Sequence, residues 1–188
     1  VTDRDSVIRG FAITGFGPGV ALRGTNNAVT GCWIGLRPDG SARGNTYGVF
    51  IDQAADNRVG GTDAAERNVI SDNGQGGILV TGSPGCVIAG NLIGTDPSGV
   101  SARPNERNGI MLQSAGGAVI GGTQASARNV ISGHPFAGLS LVDTGGQLIA
   151  NNVIGLDVAG LAPLPNGSGI ELFNVTGVRV LQNIVSGN

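Results

Sequence analysis

Few groups in this chain are equipped for chemistry. Thirteen acidic residues, eleven basic residues, one histidine and two cysteines are spread over 188 positions. Every basic residue is arginine, so no lysine is available for nucleophilic or Schiff-base catalysis. Acid–base chemistry would have to come from paired carboxylates. Asp143 and Glu171 are the pair whose spacing could bring them together on neighbouring turns of the chain. His134 precedes Pro135 in a loop-like stretch, with no partner residue near it in sequence. Asn166-Gly167-Ser168 and Asn174-Val175-Thr176 fit the glycosylation sequon, a short pattern that chance often supplies.

The elements that position these groups come from a repeat of about 61 residues. Val59-Gly60-Gly61-Thr62 returns as Ile120-Gly121-Gly122-Thr123, and Arg67-Asn68-Val69-Ile70-Ser71 returns as Arg128-Asn129-Val130-Ile131-Ser132. Self-similarity at a fixed period implies stacked units, none of which buries its apolar face alone. Each period holds two coils, marked by alternating strings such as Val49-Phe50-Ile51, Ile78-Leu79-Val80 and Ile110-Met111-Leu112. Two further aliphatic columns, Ile8 to Val180 and Ile13 to Val185, complete three short strands per coil. Glycine, at 35 residues, is too dense for stable helices.

Between the second and third columns lies a polar slot holding Asn68, Asn91, Asn129, Asn152 and Asn183, with Phe11 and Cys32 in the first two coils. An amide both donates and accepts, so stacked asparagines can satisfy one another inside the structure. The residue after the slot should point outward, yet it reads Ala12, Trp33, Val69, Leu92, Val130, Val153 and Ile184. An external apolar stripe of this kind is either covered by loops or a lateral contact surface, with Trp33 as its anchor.

The strings Val87-Ile88-Ala89-Gly90-Asn91-Leu92-Ile93-Gly94-Thr95-Asp96, Arg128-Asn129-Val130-Ile131-Ser132-Gly133 and Gly109-Ile110-Met111-Leu112 resemble the right-handed parallel β-helix repeats of the pectin lyase-like superfamily. The resemblance spans the whole chain and implies an all-β solenoid of about six coils, residues 1–188 forming one domain. The strings look specifically like the tandem repeats of large secreted or surface-displayed bacterial proteins, many without an assigned activity. No polar cap is evident at either end, so the segment is expected to belong to a longer solenoid and to make end-to-end contacts.

Enzymes of that superfamily carry their chemistry on the Gly-aliphatic strand face: clustered acids, often with calcium, in lyases, and paired carboxylates in hydrolases. Here that face presents Ala21, Phe50, Leu79, Met111, Ser140 and Glu171, then Arg23, Asp52, Thr81, Gln113, Val142 and Phe173. Arg23 and Asp52 read as a surface ion pair, and no acidic triad is visible. Asp39, Asp96 and Asp157 recur after the Ile-Gly motif; one aspartate every second coil lies about 9–10 Å from the next, too far to share calcium. They read as turn residues. Cys32 and Cys86 lie roughly 10 Å apart from coil spacing alone and read as free buried thiols.

A net charge of −2 gives no case for nucleic acid, and no apolar run reaches the length of a membrane span. The expected function is a non-catalytic secreted or cell-surface solenoid acting as stalk, adhesin or glycan-binding scaffold. The alternatives are a polysaccharide lyase, hydrolase or epimerase module and a phage tail-spike-like segment.

Overall fold

A computed structural model describes all residues, 1–188. Twenty strands and two single 3-10 turns wind into a parallel solenoid. The strands form three sheets of seven, seven and six. The first sheet runs from Val7–Arg9 to Arg179–Leu181, the second from Ala12–Ile13 to Ile184–Val185, and the third from Pro18–Leu22 to Ser168–Thr176. Every strand pairs in parallel with the equivalent strand one coil away. This gives six full coils, with Arg179–Val185 adding strands to the first two sheets only.

Register places like on like. Val20, Val49, Ile78, Ile110, Leu139 and Ile170 align in the third sheet, as do Leu22, Ile51, Val80, Leu112, Leu141 and Leu172. Their inner members, with those of the columns in the other two sheets, make up most of one core of 25 buried residues; Ile8, Ile13 and Ile170 pack against it, and Leu172, Val180 and Val185 in the last turn are exposed. Strands of two to three residues in the first two sheets suit β-branched side chains, which pack on a pleated surface with little rotamer loss.

The corners are held by amides. Asn68 Nδ2 donates to Asn91 Oδ1 at 2.9 Å, Asn91 to Asn129 at 3.0 Å, Asn129 to Asn152 at 2.9 Å and Asn152 to Asn183 at 2.9 Å. The predicted ladder is therefore present, with Asn68 Oδ1 also accepting the Cys32 amide. Phe11, by contrast, is exposed.

A second ladder, between the second and third sheets, is absent from the sequence reading. Asn45 donates to Asn73 at 3.0 Å and Asn73 to Asn105 at 2.8 Å. His134 is the next rung: its Nδ1 accepts the Asn105 amide at 3.3 Å, its own amide donates to Asn166 Oδ1, and Asn166 donates to Asn188 at 2.7 Å. His134 is thus a buried rung with partners on both sides rather than an isolated loop residue. Asn166 is buried in the same ladder, which removes it as a glycosylation acceptor, while Asn174 is exposed. At the third corner, Asn27 and Asn57 begin a shorter column that passes to Cys86 and Gln147.

The row after the first ladder is not an open stripe. Val69, Leu92, Val130 and Val153 are buried, because Leu36 and Leu156 from two loops join them in a second apolar cluster, against which Trp33 and Val158 pack. These loops are arms closed by antiparallel bridges at Leu36–Ala42, Thr95–Ala102 and Leu156–Pro163, one for every second coil. The aspartates turn the arms. Asp96 Oδ1 accepts from the Val100 and Ser101 amides, Asp157 Oδ1 from those of Leu161 and Ala162, and Asp39 Oδ1 from the Ser41 amide and hydroxyl. Of the predicted contact row, only Ala12, Trp33 and Ile184 keep appreciable exposure.

Candidate functional site

Alternation along the third sheet sends Ala21, Phe50, Leu79, Met111, Ser140 and Glu171 outward in one register row. One position on, Arg23 Nε and Asp52 Oδ2 form the expected surface pair at 3.3 Å, and Thr81 Oγ1 donates to Asp52 at 3.3 Å. Exposure of both members limits that pair to a small contribution.

Asp143 and Glu171 are not brought together. Glu171 lies opposite Ser140, and its Oε1 accepts the Ser168 hydroxyl at 2.6 Å. Asp143 accepts from Asn174 Nδ2 at 2.7 Å. Glu171 stands three residues from Asn174, a separation of about 10 Å along a strand. Asp143 also has φ of 48°, which breaks the strand alternation that would have set its direction. No acid on this face is arranged to protonate while a second one deprotonates. No three His, Cys, Asp or Glu side chains converge.

The third sheet carries instead a cleft of about 210 Å³ at the start of its strands, lined by Tyr47, Gln75, Gly76, Ile78, Leu79, Arg107, Asn108 and Met111. Ile78 belongs to the core, while Leu79 and Met111 supply an apolar floor. Tyr47 stacks on Phe50 with ring centroids 6.3 Å apart. Arg107 takes part in none of the four ion pairs, so its charge is free to meet a ligand. Asn108 uses Oδ1 to cap the Ala137 amide at 3.0 Å, leaving its amide hydrogens free. Gln75 also lines a second, more polar depression of about 380 Å³ with Phe16, Asn45 and Thr46, so a groove continues across the coils along this corner. Phe16 in that depression is exposed.

Sequence reasoning missed this groove. Arg107, Gln75 and Tyr47 lie just before or at the first strand positions, where variable loop lengths conceal the register. It also missed Asp72, whose carboxylate lies 3.6 Å from Arg103. Burial pushes the Asp72 pKa up, Arg103 pulls against it, and Glu106 adds to the rise. Its Oδ2 is buried without a hydrogen-bond partner. Arg103 itself is tied by a hydrogen bond to the Gly40 carbonyl of the first arm. The cysteines are free and buried, and burial pushes the Cys86 thiol up to about 11.

No curated protein matches the chain. Among solved structures, a point mutant of the periplasmic alginate epimerase AlgG superposes with a TM-score of 0.61 at 12% identity, covering 97% of this chain and 46% of that one. Another AlgG structure gives a TM-score of 0.53 at 14% identity, covering 92% and 44%. The A-module of Azotobacter vinelandii mannuronan C-5 epimerase AlgE6 gives 0.39 at 17% identity, covering 95% and 56%, too low to argue from. The chain therefore spans about half the length of these structures, and the AlgG likeness speaks to the fold alone. The sequence model of the right handed beta helix region matches residues 25–188, more than half of the chain, and the protein belongs to that right-handed β-helix family.

Proposed function

We propose that this segment is a non-catalytic, glycan-binding part of a secreted or cell-surface β-solenoid. The observation that carries the reading is the cleft at the start of the third sheet. There Tyr47 and an apolar floor stand beside the unpaired Arg107 and the free amides of Gln75 and Asn108. Aromatic and apolar surface suits the faces of sugar rings, while amide and guanidinium donors suit hydroxyl and carboxylate oxygens. The absence of an acid pair on the same face favours binding over turnover. That no helix is long and apolar enough to cross a membrane is compatible with an extracytoplasmic scaffold.

The enzymatic alternative draws on Asp72, a carboxyl whose pKa is raised by burial beside Arg103 near this corner. One experiment separates the two. Calorimetric titration against alginate, polygalacturonate and neutral glucans is expected to show binding that weakens about tenfold or more in Arg107→Ala and Tyr47→Ala. NMR of the recovered polymer is expected to show no C5 inversion and no unsaturated ends. Product formation lost in Asp72→Asn would replace the scaffold reading with the enzymatic one, and absence of binding to the whole panel would remove the glycan assignment.

A further inference from the structure

A third cavity, of about 230 Å³, lies at the N-terminal end of the second sheet and is bounded by Gly10, Phe11, Ala12, Gly31, Trp33 and Pro38. It arises from a break in the repeat. In the third and fifth coils the first sheet connects to the ladder through a seven-residue link, Gly61–Arg67 or Gly122–Arg128, each with one 3-10 turn and a terminal arginine. That arginine reaches the next coil: Arg67 Nε donates to the Gly90 carbonyl at 3.1 Å. Arg128 Nε donates to the Asn151 carbonyl at 3.3 Å, and its Nη2 to Asn151 Oδ1 at 3.0 Å. In the first coil the whole link is Gly10, between Arg9 and Phe11.

The carbonyl equivalent to those of Gly90 and Asn151 is therefore that of Gly31. All three residues are left-handed, with φ of 61° at Gly31, 72° at Gly90 and 59° at Asn151, so the turn geometry is preserved. Gly31 donates its amide to the Glu66 carbonyl, but its own carbonyl accepts no hydrogen bond. Arg9, on the adjoining strand, does not supply one. An acceptor that elsewhere in the fold holds a guanidinium is thus open, beside Trp33 and the exposed Phe11.

We propose that this cavity is a receptor for an arginine side chain presented by a partner protein. In it the guanidinium donates to the Gly31 carbonyl, as Arg67 and Arg128 do within the chain, and lies against Phe11 and Trp33. Guanidinium is planar, carries only donors and is attracted to aromatic faces. A carboxylate would set acceptor against acceptor at Gly31, and a neutral hydroxyl would gain nothing from the two rings.

Trp33 is the only tryptophan, so its fluorescence reports on this site alone. The protein should be titrated with N-acetyl-argininamide and with the neutral isostere N-acetyl-citrullinamide. The expected result is a saturable change with the arginine probe, at least about tenfold weaker with citrulline. Phe11→Ala should weaken it about fivefold, from loss of one cation–π partner. Phe11 is exposed, so an unchanged urea midpoint for that variant will separate loss of the site from loss of the fold. Equal titration by both probes, no saturable change with either, or full binding in folded Phe11→Ala would overturn the proposal.

Discussion

The His134 rung makes the fold sensitive to acid in a way that replacing it with asparagine should cure. The ring is buried, with Nδ1 3.3 Å from both the amide and the carbonyl of Asn105 and Nε2 3.3 Å from the Ile93 carbonyl. The doubly protonated ring would find a carbonyl at each nitrogen but no solvent for its charge. Burial lowers the His134 pKa from 6.5 to about 4, opposed weakly by the Asn105 and Ile93 carbonyls. The unfolded chain takes up its proton near 6.5 and the folded one only near 4, so stability falls as pH drops between these values and levels off below them. At about 1.4 kcal/mol per unit, the gap amounts to ~3 kcal/mol. His134→Asn, the residue type at every other rung of this ladder, should change stability at pH 8 by about 1 kcal/mol at most. It should also be the more stable protein at pH 4. Urea unfolding of both proteins from pH 8 to pH 4 measures this. Asp39, Asp96 and Asp157 have lowered pKa values, so their contribution is lost only below about 4, and Asp72, with a raised pKa, acts in the opposite sense. All four are common to both proteins and cancel in the difference. Parallel pH profiles for the two would refute the reasoning.

Three further outcomes are expected. Asn91→Leu should lower the urea-derived stability by about 1–3 kcal/mol, because Asn68 Nδ2 and the Asn129 carbonyl-oxygen side of the ladder each lose a partner in a buried column. Gly94→Ala should be at least as damaging, since φ is 82° there and an added Cβ would overlap both the Ser132 carbonyl and the His134 ring; circular dichroism melting checks it. Cys86, buried and with its thiol raised to about 11, should resist thiol reagents at pH 8 until denaturant is added, whereas prompt labelling of the native protein would show that its corner opens.

The two asparagine ladders show what makes a feature legible in sequence. Asn68, Asn91, Asn129, Asn152 and Asn183 are each followed two positions later by an aliphatic, a core residue in all but the last, so slot and strand keep a constant phase. Asn45 is two residues from the strand beginning at Tyr47, but Asn73 is three from Gly76. Arms of different length separate these asparagines from the preceding strands, and the phase is lost. His134 stands in the place of Asn73 one period earlier, but the Pro135 that follows makes it read as a loop residue. The apolar row from Val69 to Val153 was correctly placed on the outer side of its strands, but alternation carries no information about a loop folding back from Leu36 or Leu156. The Asp143–Glu171 pairing failed on register, which sequence alternation does not fix: Glu171 falls opposite Ser140, three residues short of Asp143.

The same comparison separates scaffold from site. Where the repeat is kept, each side chain has a partner one coil away: asparagine on asparagine, aliphatic on aliphatic, arginine on the next corner carbonyl. Such positions are satisfied within the chain and have little left to offer a ligand. Two groups left open to a ligand lie where the repeat is broken. Gly10 replaces a seven-residue link and leaves the Gly31 carbonyl without its guanidinium. Arg107 occupies the edge position held by Thr46 and Gln75 in the two preceding coils, introducing a charge with no counter-ion. Both breaks border cavities, and both cavities hold an aromatic residue. In a solenoid built by repetition, stability selects for sameness from coil to coil, so local departures that leave polar groups unpaired are the places to look for binding.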